Sequence, residues 1–95
     1  MSVYVISEVE ILDETQGQRY RELAAASIAH HGGRYLARGA TPTVLEGTCD
    51  KRVVLVEFPD RETAETWYAS PEYAEALALS KTALQRRLLL VDGVA

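Results

Sequence analysis

The segment Arg52 to Phe58, RVVLVEF, is apolar on both of the faces an extended chain presents: five of its seven residues are apolar and three of those are valine. Successive side chains of a strand point to opposite sides of a sheet, so a strand that is oily on both sides needs cover on both. Such a strand belongs in the middle of a sheet. Pro59, with no N–H to offer a neighbouring strand, ends it.

The rest of the chain must provide that cover. Val3 to Glu10 (VYVISEVE) is rich in β-branched residues and alternates in its second half, which predicts a first strand. Asp13 is placed to cap a helix, with Gln16 three residues on at the reciprocal position of a capping box. From there Tyr20, Leu23, Ala24, Ser27, Ile28 and His31 recur at three- and four-residue steps and share one helical face to about His31, where Gly32 and Gly33 stop the helix. Arg34 to Arg38 resumes an extended pattern, and Thr43 to Glu46, ending at Gly47, is expected to extend it as a short second piece.

After Pro59, Asp60 caps a helix carrying Ala64, Trp67 and Tyr68. Ser70-Pro71-Glu72 is a second helix start, with a cap, a proline at the first helical position and an acid at the positive end of the dipole. It divides one long helix into two, the second running to about Leu84. Leu88 to Val91 (LLLV) closes the chain as a last strand.

This order is that of an α+β, ferredoxin-like βαββαβ fold: a four-stranded antiparallel sheet with helices on one face. Ninety-five residues leave room for one core, so residues 1–95 are expected to form a single domain. The helices can cover only one side of the sheet. The expected cover for the other is the same face of a second copy, burying on the order of 1,600 Å² in total as a two-fold dimer.

Composition narrows the partners. Ten Lys and Arg against 14 Asp and Glu leave a net charge of −4, which repels a phosphate backbone, so nucleic acid is not an expected partner. No apolar run approaches the roughly 20 residues that cross a bilayer. The start, MSVYVISEVEI, lacks a basic stretch and a small-residue cleavage site, and the expected location is the cytoplasm. The single Cys49 has no partner for an internal disulfide, and neither its spacing from His30 and His31 nor that of any other residue suggests a metal site.

The run GGRYLARG (Gly32–Gly39), LEG (Leu45–Gly47), RVVLVEFP (Arg52–Pro59) and WYASPEY (Trp67–Tyr73), with Tyr20 and the closing Val-Asp-Gly, resembles the small bacterial domain-of-unknown-function family 1330, of the dimeric α/β-barrel superfamily. The resemblance implies the fold and the dimer, since the family has no agreed activity. It also implies distant kinship with cofactor-independent monooxygenases, haem-degrading enzymes and lactone isomerases, which hold a ligand in a cleft between helices and sheet; shared fold alone does not carry chemistry across. The haem-degrading relatives use an Asn, and this chain has none. The family's arginine in the helix after SPEY falls at Ser80, beside Lys81, and its tryptophan two residues after the Glu-Gly pair falls at Cys49.

The candidates for acid–base chemistry are His31, on the inner helix face, and Glu57, a carboxylate within an apolar strand. Each also has a structural reading, His31 as a helix-end residue facing the dipole and Glu57 as a strand-end or dimer-pairing group. Tyr35, Trp67 and Tyr73 are expected to line an apolar cleft for a small aromatic or acyl ligand, with Arg38, and also Arg34 and Glu46, supplying charge at its rim. Aromatics on a helix face are also ordinary core. There is no dinucleotide motif, phosphate-binding loop or serine elbow, so no cofactor is expected. Two functions fit: a homodimer that binds or converts a small molecule without metal or nucleotide, and a non-catalytic structural or interaction dimer.

Overall fold

The central strands sort their side chains by parity. In β1 (Val3–Ile11), Val3, Val5, Ser7 and Val9 are buried while the residues between them are partly open. In β3 (Arg52–Phe58), Val56 and Phe58 are buried, and pairing Val5 with Val56 and Val3 with Phe58 puts these residues on the same side. That side carries the helices. Val3, Val5, Val56 and Phe58 form one core cluster with Ala24 and Ile28 of α1 (Glu14–His30), Ala64 and Trp67 of α2 (Arg61–Tyr68), and Tyr73 and Ala76 of α3 (Pro71–Ala83). The computed structural model describes residues 1–94.

With β2 (Arg34–Ala40) and β4 (Leu84–Asp92) at the edges, the strand order is β2-β3-β1-β4 and every neighbouring pair is antiparallel. This is the expected ferredoxin-like arrangement, with RVVLVEF in the interior of the sheet. The shortest extent of the Cα trace is 15 Å, room for two layers and no third. One face of the sheet is therefore bare.

That bare face has an ordered composition. Ile6 lies between Leu55 and Leu89, an apolar row across three strands. The rows on either side each include one carboxylate tied to an arginine of the next strand: Arg34 Nε donates to Glu57 at 2.6 Å and Arg87 to Glu8 at 2.9 Å. Val53, Tyr4 and Val91 fill the remaining places in those rows.

Asp13 caps α1 by accepting from the Gln16 N–H at 2.9 Å. The reciprocal half of the capping box is absent: the Asp13 N–H goes to the Ala83 carbonyl, and the Gln16 side chain accepts from the Thr82 hydroxyl. Gly32 takes a left-handed φ of 78°. Gly33 is needed for space, because a Cβ there would sit 2.7 Å from the Phe58 ring.

Two boundaries differ from expectation. Thr43 to Glu46 is not a strand; the segment from 41 to 51 pairs with nothing, and Leu45 is 91% exposed. Pro42 cannot donate to a ladder, and two register shifts in β2 have already bent that edge away. The last strand begins at Leu84, not Leu88, because α3 passes into it without a loop and Gln85, Arg86 and Arg87 continue its alternation.

The break between α2 and α3 is where the sequence places it. Ser70 accepts from the Tyr73 N–H at 3.3 Å and donates to the Trp67 carbonyl at 2.7 Å. Ser70→Ala removes both bonds and is expected to lower stability by about 1 kcal/mol. A denaturation midpoint equal to that of the unmodified chain would show that the cap does not hold this junction.

Candidate functional site

Between α1 and the sheet lies a cavity of about 110 Å³. Gly17, Tyr20, Ala24 and Ile28 of α1 face it from one side and Val5, Ser7, Val9, Val54 and Val56 of the sheet from the other. Its inner end is apolar, walled by Val5, Val56, Leu88, Ile28 and Trp67. Ser7, only 5% exposed, places a hydroxyl partway along.

The other end is cationic. Val9 pairs with Arg52 on one side and Arg86 on the other, so two arginines flank it on the helix-bearing face, with Cα atoms about 10 Å apart from two inter-strand spacings. Arg38, opposite Val54 one row inward, and Arg21 of α1 also line the space. Among the described residues, no Asp, Glu, His, Lys or Cys lines it.

Arg86 makes the most hydrogen bonds of these groups. It donates to the Tyr20 hydroxyl at 2.6 Å and to the Tyr73 hydroxyl at 3.0 Å, and the two phenols bond each other at 2.8 Å. Its guanidinium carbon lies 5.1 Å from the centre of the Tyr20 ring. Burial raises the Tyr73 hydroxyl well above the ordinary phenol range, and Tyr20 beside it adds to the rise while Arg86 draws it partly back. Tyr73 therefore stays neutral near pH 7 and does not neutralise Arg86.

The expected site residues divide into three groups. Tyr35, Arg38 and Trp67 do line the cavity. The Arg38 guanidinium sits 4.6 Å above the Tyr35 ring, and burial raises the Tyr35 hydroxyl, with Arg38 pulling it back. Tyr73 is fully buried and reaches the site through its bonds to Arg86 and to the Tyr20 hydroxyl. Trp67 is largely core as well: its ring lies 4.4 Å from Tyr73 and 5.3 Å from Phe58, and its N–H donates to the Ser27 hydroxyl at 3.0 Å.

His31 and Glu57 lie outside it. Glu57 is on the bare face of the sheet, where the hydrogen bond from Arg34, with a further one from Ser2, holds its carboxyl below the ordinary range. That is the opposite of a base tuned upward by burial. His31 caps α1 and bonds Glu72 at 2.7 Å, which lowers the Glu72 carboxyl. Because His31 has left helical geometry, its ring and that of His30 do not splay as neighbours on a helix would. Donor atoms of His30, His31 and Glu72 lie within 4.8 Å of one another, but none of the three lines the cavity. Arg34 bonds Glu57, and neither it nor Glu46 lines the cavity.

Comparison with protein families gives a match to the model of a domain of unknown function, DUF1330, over residues 2–94. The chain belongs to the DUF1330 family. Among curated proteins none matches it. Of solved structures, this DUF1330 chain is similar to RPA0582 of Rhodopseudomonas palustris, a protein of unknown function, with a TM-score of 0.80 at 17% identity over 99% of this chain and 83% of that one. It is also similar to SnoaB of Streptomyces nogalater, a cofactor-independent oxygenase, with a TM-score of 0.71 at 12% identity over 99% and 94%. A dimeric ferredoxin-like protein of unknown function from Jannaschia sp. CCS1 gives 0.70 at 12% over 98% and 100%. These likenesses establish the fold.

The two positions singled out by the resemblance, Ser80 and Cys49, lie away from the cavity lining. Ser80 is buried and donates to the Leu77 carbonyl at 2.6 Å, and Cys49 is exposed in the loop between β2 and β3. The residues that sequence reasoning missed are Ser7, Arg52 and, above all, Arg86. The signal for Arg86 was present in the alternation of Leu84-Gln85-Arg86-Arg87-Leu88, but starting the last strand at Leu88 left it in a loop.

Proposed function

We propose that this chain is a single-domain, cytoplasmic homodimer that binds a small aromatic or acyl molecule in the cavity between α1 and the sheet. The observation that carries this reading is the cavity itself. A recess of about 110 Å³ opens between α1 and the sheet, and its lining is largely apolar with few polar groups. Metal and nucleotide have no part in this reading. The lining of the described residues offers hydroxyls at Ser7, Tyr20 and Tyr35 in a largely apolar setting, and binding is the reading that this apolar character favours. The fold of a cofactor-independent oxygenase supports placing an organic ligand at such a position.

The homodimer is supported by the apolar row Leu55–Ile6–Leu89 on the bare face, and by the dimeric state of the Jannaschia protein of the same fold. No helix of the described residues is long and apolar enough to cross a membrane.

A panel of small aromatic and acyl compounds at millimolar concentration, followed by amide chemical shifts and melting temperature, tests the reading. The expected result is a raised midpoint with shifts centred on Val5, Ser7, Ile28 and Trp67. A panel that moves neither overturns it, and leaves the structural dimer as the function.

A further inference from the structure

The distribution of ion pairs on this chain is uneven. Arg19, Arg34, Lys51, Arg61 and Arg87 each form a salt bridge with a carboxylate. Among the described residues, Arg21, Arg38, Arg52, Lys81 and Arg86 form none, and the four arginines of this group line the cavity. In a chain of net charge −4, with 14 acidic residues to choose from, every arginine at the cavity has been left without one. A half-buried guanidinium held only by neutral phenols keeps most of its charge unanswered, and that is a binding-ready cation.

From this placement we infer that the ligand is a small monocarboxylic acid, its carboxylate seated between Arg86 and Arg52 and its apolar body lying inward along Ser7 toward Ile28 and Trp67. The inference rests on the cavity being a ligand site and adds the chemical class and the orientation. Arg86 donates two of its five N–H groups to Tyr20 and Tyr73, leaving three for a ligand. A planar fork of donors matches the two oxygens of a carboxylate. The span from the Val9 row to the Val5 row is about 13 Å at the strand rise per residue, room enough for a small aromatic or medium-chain acid. The apolar inner end, with no cation deeper than Arg38, accepts one charged end and not two.

The two phenols add stiffness. Tyr20 comes from α1 and Tyr73 from α3, so the guanidinium is fixed from both helices before a ligand arrives, and little side-chain freedom remains to be lost on binding.

The test is calorimetric titration of the full chain with phenylacetate and hexanoate, with their neutral amides, and with inorganic phosphate. The acids are expected to bind at least about ten-fold more tightly than the amides, and more weakly as salt rises. In Arg86→Gln the acids lose about ten-fold or more and the amides are unchanged. Circular dichroism checks that this variant folds; should it not, Arg52→Gln, at an exposed position, is expected to give a smaller loss of the same selectivity. Amides binding as tightly as acids, or phosphate as tightly as phenylacetate, would overturn the inference while leaving the ligand site standing. If neither acids nor amides bind, the ligand site itself falls.

Discussion

Leu55→Lys is expected to convert the dimer into a folded monomer. Leu55 lies on the bare face opposite Ile6, in the apolar row that continues through Ile6 to Leu89. In an isolated chain that position is only partly buried, so a lysine there can extend its amine into water and leave the sheet intact. In a two-fold dimer each copy would bring a charge into the centre of an apolar interface, and the cost of desolvating two like charges exceeds what the remaining rim contacts return. Analytical ultracentrifugation at micromolar concentration should show the unmodified chain at twice the mass of the variant, with matching far-ultraviolet dichroism. Val54→Lys is the contrast. Val54 packs on the helix-side core, so the same change there is expected to unfold the chain. An unmodified chain that sediments as a folded monomer would remove the dimer and leave the apolar row without a role.

Trp67→Ala is expected to cost about 3–5 kcal/mol, a large share of the 5–15 kcal/mol typical of a native domain. The indole is 3% exposed, stacks against Phe58 and Tyr73, and joins α2 to α1 through its bond to Ser27. Its removal opens a void among side chains already fixed by neighbouring rings and leaves the Ser27 hydroxyl without its donor. Urea denaturation measures the effect; a loss under about 1 kcal/mol would mean that the ring serves the cavity wall and not the core.

The fold was legible because its signals are local. Asp13, Asp60 and Ser70 cap the helices predicted for them, Gly32 takes the left-handed turn, and the two-sided apolarity of RVVLVEF puts that strand inside the sheet. Thr43 to Glu46 misled because β-propensity without a neighbouring strand gives no ladder. The site was less legible, for two reasons. Whether Val54 or Leu55 faced the helices depended on register, which the turn lengths did not fix. Arg86 gained its meaning only from Tyr20 and Tyr73, which lie 66 and 13 residues away in the chain. Glu57 drew attention as a buried carboxylate, and only the arrival of Arg34 from another strand explains it.

Arg86 and Arg87 are adjacent in β4, yet the first turns to the cavity while the second bonds Glu8 on the bare face. The same division runs through Val9 and Glu8, and through Arg52 and Val53. The sheet is a partition one residue thick, and each strand writes two messages on it in alternate letters. A slip of one position in β4 would exchange them, sending Arg86 to the dimer face and bringing Arg87 and Leu89 to the cavity side. The proposed recognition of a ligand and of a second copy would therefore depend on the same alignment, and a chain that folds with one face correctly written has the other as well.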